Sequence, residues 1–374
     1  MKIGILTGGG DVAPLNAIIQ SAIGECNRKG IEIIGYLKGW DGLLSDRKIQ
    51  LNNHPVNGDI GGTILKSSRV NLKTVAQGGE KVLQQLNADK LDGLIVLGGE
   101  DTLSNALLIK DYPKVLISKT IDNDVGFYKD KKFFNHFSLG YPTAAEKISS
   151  FVSLSEGLRT TAISHERIII VESMGMHAGW LALASSQGNP DFIIIPEFPL
   201  DFEYFKKRVE HRFRDKNNVI IVISEGARWT GGEYISADEN EKDSFGHPRF
   251  KGTAEKLAEL LKDALKGKFD TRNINAVNPS YLYRSGRPNT IDKKIGFEMG
   301  AMAVNHLLQE KTTVFLFTEL ERGPVFQIRK FDFNELHDIE EFHRFVDDTL
   351  YDPDNYAVTD FGKDYFSTFV PSLT

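Results

Sequence analysis

Short apolar runs alternate with amphipathic stretches from one end of the chain to the other. The runs predict strands at Lys2–Leu6, Ile31–Tyr36, Leu94–Leu97, Lys114–Ser118, Arg167–Glu172, Phe192–Ile195, Val219–Ser224 and Thr313–Thr318. Several, such as Ile168-Ile169-Ile170-Val171 and Val219-Ile220-Ile221-Val222-Ile223, carry no polar face at all. Such strands are covered on both sides, as in a parallel sheet between two layers of helices. Between them, Leu15, Ile18, Ile19, Ala22, Ile23 and Cys26 form one helical stripe with Gly30 as its stop. Ala144, Ala145, Ile148, Phe151 and Val152 form another, as do Leu257, Leu260, Leu261 and Leu265, and also Phe202, Phe205, Val209 and Phe213. Strand–helix alternation with right-handed crossovers predicts an α/β protein built on doubly wound, parallel-rich sheets, one per domain. Thr230–Gly252, with its charge run, reads as a surface insertion, and Asp338–Thr374 as a docked tail.

Composition narrows the function. A chain of 374 residues suits two domains. Against 45 basic residues stand 51 acidic ones, a net charge of −6, which offers no broad attraction to nucleic acid or an anionic membrane surface. The one cysteine, Cys26, excludes an internal disulfide and a multi-cysteine zinc cage, and fits a reducing cytoplasm. No apolar run reaches the roughly 18 residues of a membrane helix, and Met1–Leu6 runs into glycines without a signal-peptide pattern. The expectation is a cytoplasmic enzyme.

Three segments at predicted strand ends carry candidate chemistry. Gly8-Gly9-Gly10-Asp11 precedes a helix and permits close backbone approach to a bound group, or makes a tight turn. Gly98-Gly99-Glu100-Asp101-Thr102 joins glycines to carboxylates, which would face a phosphate only across a divalent cation, and it also reads as an acidic helix start. In Thr120-Ile121-Asp122-Asn123-Asp124 an extended chain would project Thr120, Asp122 and Asp124 to one side, whereas Asp-Asn-Asp is also good turn chemistry and, taken by itself, favours the turn. Its place after a buried strand favours a functional role.

With Gly61-Gly62-Thr63-Ile64-Leu65-Lys66-Ser67-Ser68-Arg69, Ser164-His165-Glu166-Arg167, Met174-Gly175-Met176-His177-Ala178-Gly179-Trp180, Ser224-Glu225-Gly226 and Tyr281-Leu282-Tyr283-Arg284-Ser285-Gly286, these segments resemble the phosphofructokinase family over roughly residues 1–310. The resemblance implies two Rossmann-like domains. Residues 1–142 with 283–333 would hold the phosphoryl donor, and 143–282 with 334–374 the sugar phosphate, the active site lying in the cleft between them. It implies a glycolytic kinase using Mg²⁺, with Asp122 as the general base toward the sugar's 1-hydroxyl and Glu100 and Asp124 as the metal carboxylates. Thr120 would contact the transferring phosphoryl group beside Lys119, Arg69 would neutralise phosphate, and Gly9 and Gly10 would line the donor. Glu225, Met174 and Gly175 would grip the sugar, while Arg284, Tyr281 and Arg167 would hold its 6-phosphate. The residue matching Arg167 reaches a neighbouring subunit's site in this family, which implies a homodimer or homotetramer with shared sites.

The donor turns on two positions. Relatives that use ATP carry glycine where this chain has Asp101 and Lys119, so the pair resembles the pyrophosphate-dependent branch. The plainer alternative makes Asp101 a helix cap and Lys119 a solvated charge. Asp11-Val12-Ala13-Pro14 and Met176 depart from the family pattern, and Gln20 and Gly24 replace effector-binding arginines of regulated bacterial enzymes. The expected substrates are fructose 6-phosphate and pyrophosphate. ATP as donor, a related acceptor such as sedoheptulose 7-phosphate, or a non-catalytic sugar-phosphate-binding regulator are the alternatives, and the intact Thr120, Asp122 and Asp124 set speaks against the last.

Overall fold

The computed structural model describes residues 1–129, 132–242, 248–250, 252–332, 343–370 and 373. The chain forms two compact units, one of Met1–Thr143 with Arg284–Arg344, the other of Ala144–Tyr283 with Phe345–Thr374. The first is built on a seven-stranded sheet whose strands lie in the order Val325–Asp332, Val314–Arg322, Lys114–Ser118, Gly93–Gly98, Lys2–Thr7, Glu32–Tyr36, Lys48–Gln50. Its five central strands are parallel, and each edge strand is antiparallel to its neighbour. Gly93–Gly98 and Lys114–Ser118 are buried at every residue, as their unbroken apolar character requires. The strand expected at Thr313–Thr318 instead runs from Val314 to Arg322. It pairs with Val325–Asp332 along its length, but only its second half is largely exposed, so that half lacks the apolar run that marks the first.

Two helices of this unit, Leu15–Lys29 and Thr290–Gln309, pack on each other. The contact needs small residues, since a Cβ on Gly300 would lie 2.4 Å from the Ile18 carbonyl oxygen. Gly30 ends the first helix in the left-handed region, as its place after the apolar stripe predicts. On the second helix the fully buried Asp292 carboxylate accepts hydrogen bonds from the backbone N–H groups of Gly140 (2.8 Å) and Thr143 (2.9 Å).

The second unit has an all-parallel four-stranded sheet in the order Ile274–Val277, Ile168–Ser173, Val219–Ser224, Phe192–Ile194. Its core joins Ile168, Ile170, Ile221 and Ile223 to Phe205 and Val209 of the helix Phe202–Lys216, and to Leu257 and Leu261 of Thr253–Ala264. The insertion holds a two-stranded antiparallel ribbon, Ala237–Lys242 with Pro248–Phe250, and residues 243–247 and 251 lie outside the described residues. Of the expected tail, 338–342 also lie outside them, whereas Tyr365 packs edge-on to Trp180 at 5.6 Å and Tyr351 Oη donates to the Ile193 carbonyl. In the Met174–Trp180 segment a helix starts only at Trp180; His177 precedes it and is exposed.

Candidate active site

Three neighbouring parallel strands of the first unit, Lys114–Ser118, Gly93–Gly98 and Lys2–Thr7, release their following loops at one edge of the sheet. The loops are tied together at their roots. Gly8 N–H donates to the Leu97 carbonyl, and Lys119 N–H to that of Gly98, both at 2.9 Å. The segment 61–69 is fastened onto the first loop: Thr7 Oγ1 donates to the Lys66 carbonyl (2.9 Å), Gly9 N–H to that of Ser68 (3.0 Å), and Ser67 Oγ to that of Gly9. Gly9 adopts φ 76°, a conformation that costs a side-chain-bearing residue strain. These bonds bring Arg69, itself exposed, to the glycine-rich turn. Asp101 is exposed in the first turn of the helix Glu100–Ala106, beneath Gly99, which supplies no side-chain cap.

Lys119 is buried, with 2% of its surface exposed, and its ammonium donates to the Gly10 carbonyl. It is therefore no solvated charge. Burial, with the Arg284 guanidinium, pulls its pKa down to about 7, while Asp11 and Asp122 oppose the shift. Arg284 lies in the first unit and pairs with Asp11 at 3.2 Å. Burial and the neighbouring Asp124 raise the Asp122 carboxyl; Arg284, Arg69 and Lys119 pull it back. Thr120 Oγ1 accepts the Asp122 N–H at 3.1 Å and fixes the start of the loop.

The loop is not extended. Asn123, buried between the two aspartates, sits at φ 56° and its side-chain oxygen accepts the Ser138 N–H at 3.0 Å. Of the two arrangements open for Thr120, Asp122 and Asp124, the turn is the one adopted, because Asn tolerates the left-handed region and can bond locally. The consequence is a division of surroundings. Besides Asp124, the charges that act on Asp122 are the cations Arg284, Arg69 and Lys119, whereas those that act on Asp124 are His343, Glu100 and Arg344.

Glu100, Asp124 and His343 each offer a ligand atom within 4.8 Å of the others. His343 Nδ1 lies 2.8 Å from Glu100 Oε2. Burial raises the Asp124 carboxyl, Glu100 adds to the rise, and His343 opposes it. Two carboxylates gathered in this way fit a divalent cation, which would remove their mutual repulsion. The motif reading missed His343 because nothing around it in sequence marks it; an antiparallel bridge to Val125 brings it in.

In the second unit, Glu225 Oε1 accepts the Gly175 N–H at 3.2 Å, with Gly175 at φ 128° and Met174 half-buried beside it. Arg167 donates to Thr161 Oγ1 at 2.5 Å. Tyr281 is 66% exposed, while Tyr283 is buried and donates to the Glu172 carbonyl at 2.8 Å. Glu172 itself is buried, accepting from Ala254 N–H (2.9 Å) and Asn278 Nδ2 (2.6 Å), and burial raises its pKa to about 7.

The sequence profile described as "Phosphofructokinase" matches residues 2–307, taking in all these loops except the His343 segment. The chain belongs to the phosphofructokinase family. Among similar phosphofructokinases is a "Pyrophosphate--fructose 6-phosphate 1-phosphotransferase" of Dictyoglomus thermophilum, 36% identical over 322 residues that cover 84% of this chain and 89% of the relative. An "ATP-dependent 6-phosphofructokinase" of Mycobacterium bovis is 34% identical over 313 residues, covering 82% and 87%. A solved pyrophosphate-dependent phosphofructokinase from Marinobacter aquaeolei superimposes with TM-score 0.82 over 100% of this chain and 93% of its own. At 20% identity that similarity speaks for the shared fold. Among the described residues no helix is long and apolar enough to cross a membrane.

Proposed function

We propose that this phosphofructokinase-family enzyme moves a phosphoryl group from pyrophosphate to the 1-hydroxyl of fructose 6-phosphate, giving fructose 1,6-bisphosphate and phosphate. The observation that carries the reading is the turn at Asn123, which sets Asp122 among cations and Asp124 among metal-ligand groups. Asp122 accepts the hydroxyl proton as the sugar oxygen forms its bond to phosphorus and the bridging P–O bond of pyrophosphate breaks. Thr120, Lys119, Arg69 and the Gly9–Gly10 backbone hold the donor and its developing charge. Glu100 and Asp124 would hold Mg²⁺, which supplies charge neutralisation on the donor oxygens when bound. Arg284, Arg167 and Tyr281 take the 6-phosphate, and Glu225, Met174 and Gly175 the sugar. Arg167 serves a neighbouring copy's site in a homodimer or homotetramer, and the enzyme works in the cytoplasm.

Pyrophosphate is favoured as donor by Asp101 and the buried Lys119. A carboxylate where a third phosphate would continue repels it unless a metal intervenes. ATP is the second reading, supported by the relative of similar identity from Mycobacterium bovis. ³¹P NMR of the enzyme with pyrophosphate, fructose 6-phosphate and Mg²⁺ tests the proposal: the pyrophosphate resonance should give way to phosphate and a sugar 1-phosphate, and unchanged spectra would contradict it.

A further inference from the structure

The segment that brings in His343 lies beyond the family-matched residues, yet it is built into the loop that carries Asp122 and Asp124. Its anchor is Arg344, 2% exposed. The Arg344 N–H donates to the Asp124 carbonyl at 2.8 Å, Nε to that of Asn123 at 2.9 Å, and Nη1 to that of Asn135 at 2.7 Å. Two guanidinium bonds and one backbone bond to carbonyls of the 123–135 segment fix Arg344, so the adjacent His343 imidazole is held against Glu100. The Nδ1–H of His343 donates to Glu100 Oε2 at 2.8 Å; with the ring proton on Nε2 instead, the same spacing suits two adjacent ligands of one ion, since donors about 2.1 Å from an ion at right angles lie roughly 3 Å apart.

We propose that His343 is a nitrogen ligand of the divalent cation and biases this site toward first-row transition ions over magnesium. The inference rests on the reading that Glu100 and Asp124 hold that cation. The chemistry follows from the donor set: imidazole suits the later first-row ions from Fe²⁺ to Zn²⁺, Mn²⁺ takes it beside carboxylates and reports it spectroscopically, and Mg²⁺ prefers oxygen and sheds water reluctantly. With two oxygens and one nitrogen, the set Glu100, Asp124, His343 differs from an all-carboxylate magnesium site.

The test uses the full-length protein with Mn²⁺ alone as probe. Electron spin echo spectra of bound Mn²⁺ should show ¹⁴N modulation, and this should vanish in His343→Ala and in His343→Asn, whose amide can keep the bond to Glu100 but offers no imidazole nitrogen. Both variants should weaken Mn²⁺ binding by about tenfold or more while changing Mg²⁺ affinity by less than about threefold, with unchanged melting temperatures. Wild-type spectra without ¹⁴N modulation, or modulation that persists in both variants, would overturn the proposal. Glu100→Gln separates the two readings. If that variant binds Mn²⁺ as the wild type does, the cation site itself is misplaced. If it loses Mn²⁺ while the wild-type spectrum lacks nitrogen, only the His343 ligand falls.

Discussion

Asp122→Asn is nearly isosteric and removes one charge from a crowded site. Four groups act on that carboxyl besides its burial: Asp124 raises it, while Arg284, Arg69 and Lys119 lower it. The substitution leaves all four in place, together with the Thr120 bond to the residue 122 N–H. Donor positioning and charge neutralisation should therefore survive, and only proton acceptance is lost. General-base catalysis contributes about 10²–10⁴-fold, which corresponds to roughly 3–5 kcal/mol of barrier. The expected kcat falls by at least about a hundredfold, with KM for fructose 6-phosphate changed by less than about threefold, since the loss is confined to the transition state. The melting temperature should stay level or rise, because the like-charge repulsion from Asp124 disappears. Initial rates from an aldolase-coupled assay, alongside a thermal melt, provide the check. A kcat near that of the wild type would refute the assignment of Asp122 as base.

Arg167→Ala should raise KM for fructose 6-phosphate more than it lowers kcat, and sedimentation equilibrium should give at least a dimer; a fully active monomer would contradict the shared site. Asp101→Gly alone should harm the pyrophosphate reaction without making a good ATP enzyme, while Asp101→Gly with Lys119→Gly should gain measurable ATP turnover, because residues acting on one donor do not contribute additively. The buried Glu172, raised from its ordinary 4.5 to about 7, binds its proton more tightly in the folded state. Its stabilisation is present below pH 4.5 and lost as pH rises through 7, so denaturant unfolding from pH 5 to 8 should cost the wild type about 3 kcal/mol that Glu172→Gln keeps. Parallel pH profiles of the two proteins would count against it.

The sheets were readable because strands such as Lys114–Ser118 and Val219–Ser224 are buried along their whole length, and burial on both faces leaves an unbroken apolar run. Val325–Asp332 escaped notice because an exposed edge strand needs no such run. The packing of Thr290–Gln309 depends on Gly300, whose contribution is the absence of a side chain. Family membership could be recognised from loops whose residues are contiguous. His343 and Arg344 could not be recognised, since their bearing on the site comes from one bridge and three hydrogen bonds to backbone carbonyls across more than two hundred residues of chain. The turn at Asn123 was open in sequence between extended and bent, and the Ser138 N–H that its side chain accepts selects the bend.

Steady-state kinetics with fructose 6-phosphate and Mg²⁺, run side by side with pyrophosphate and ATP, decide both what is transferred and from which donor. Fructose 1,6-bisphosphate should form rapidly from pyrophosphate, with ATP poor or inert by kcat/KM. Preference for ATP would contradict the reading of Asp101 and Lys119, and no product from either donor would contradict the phosphoryl transfer itself.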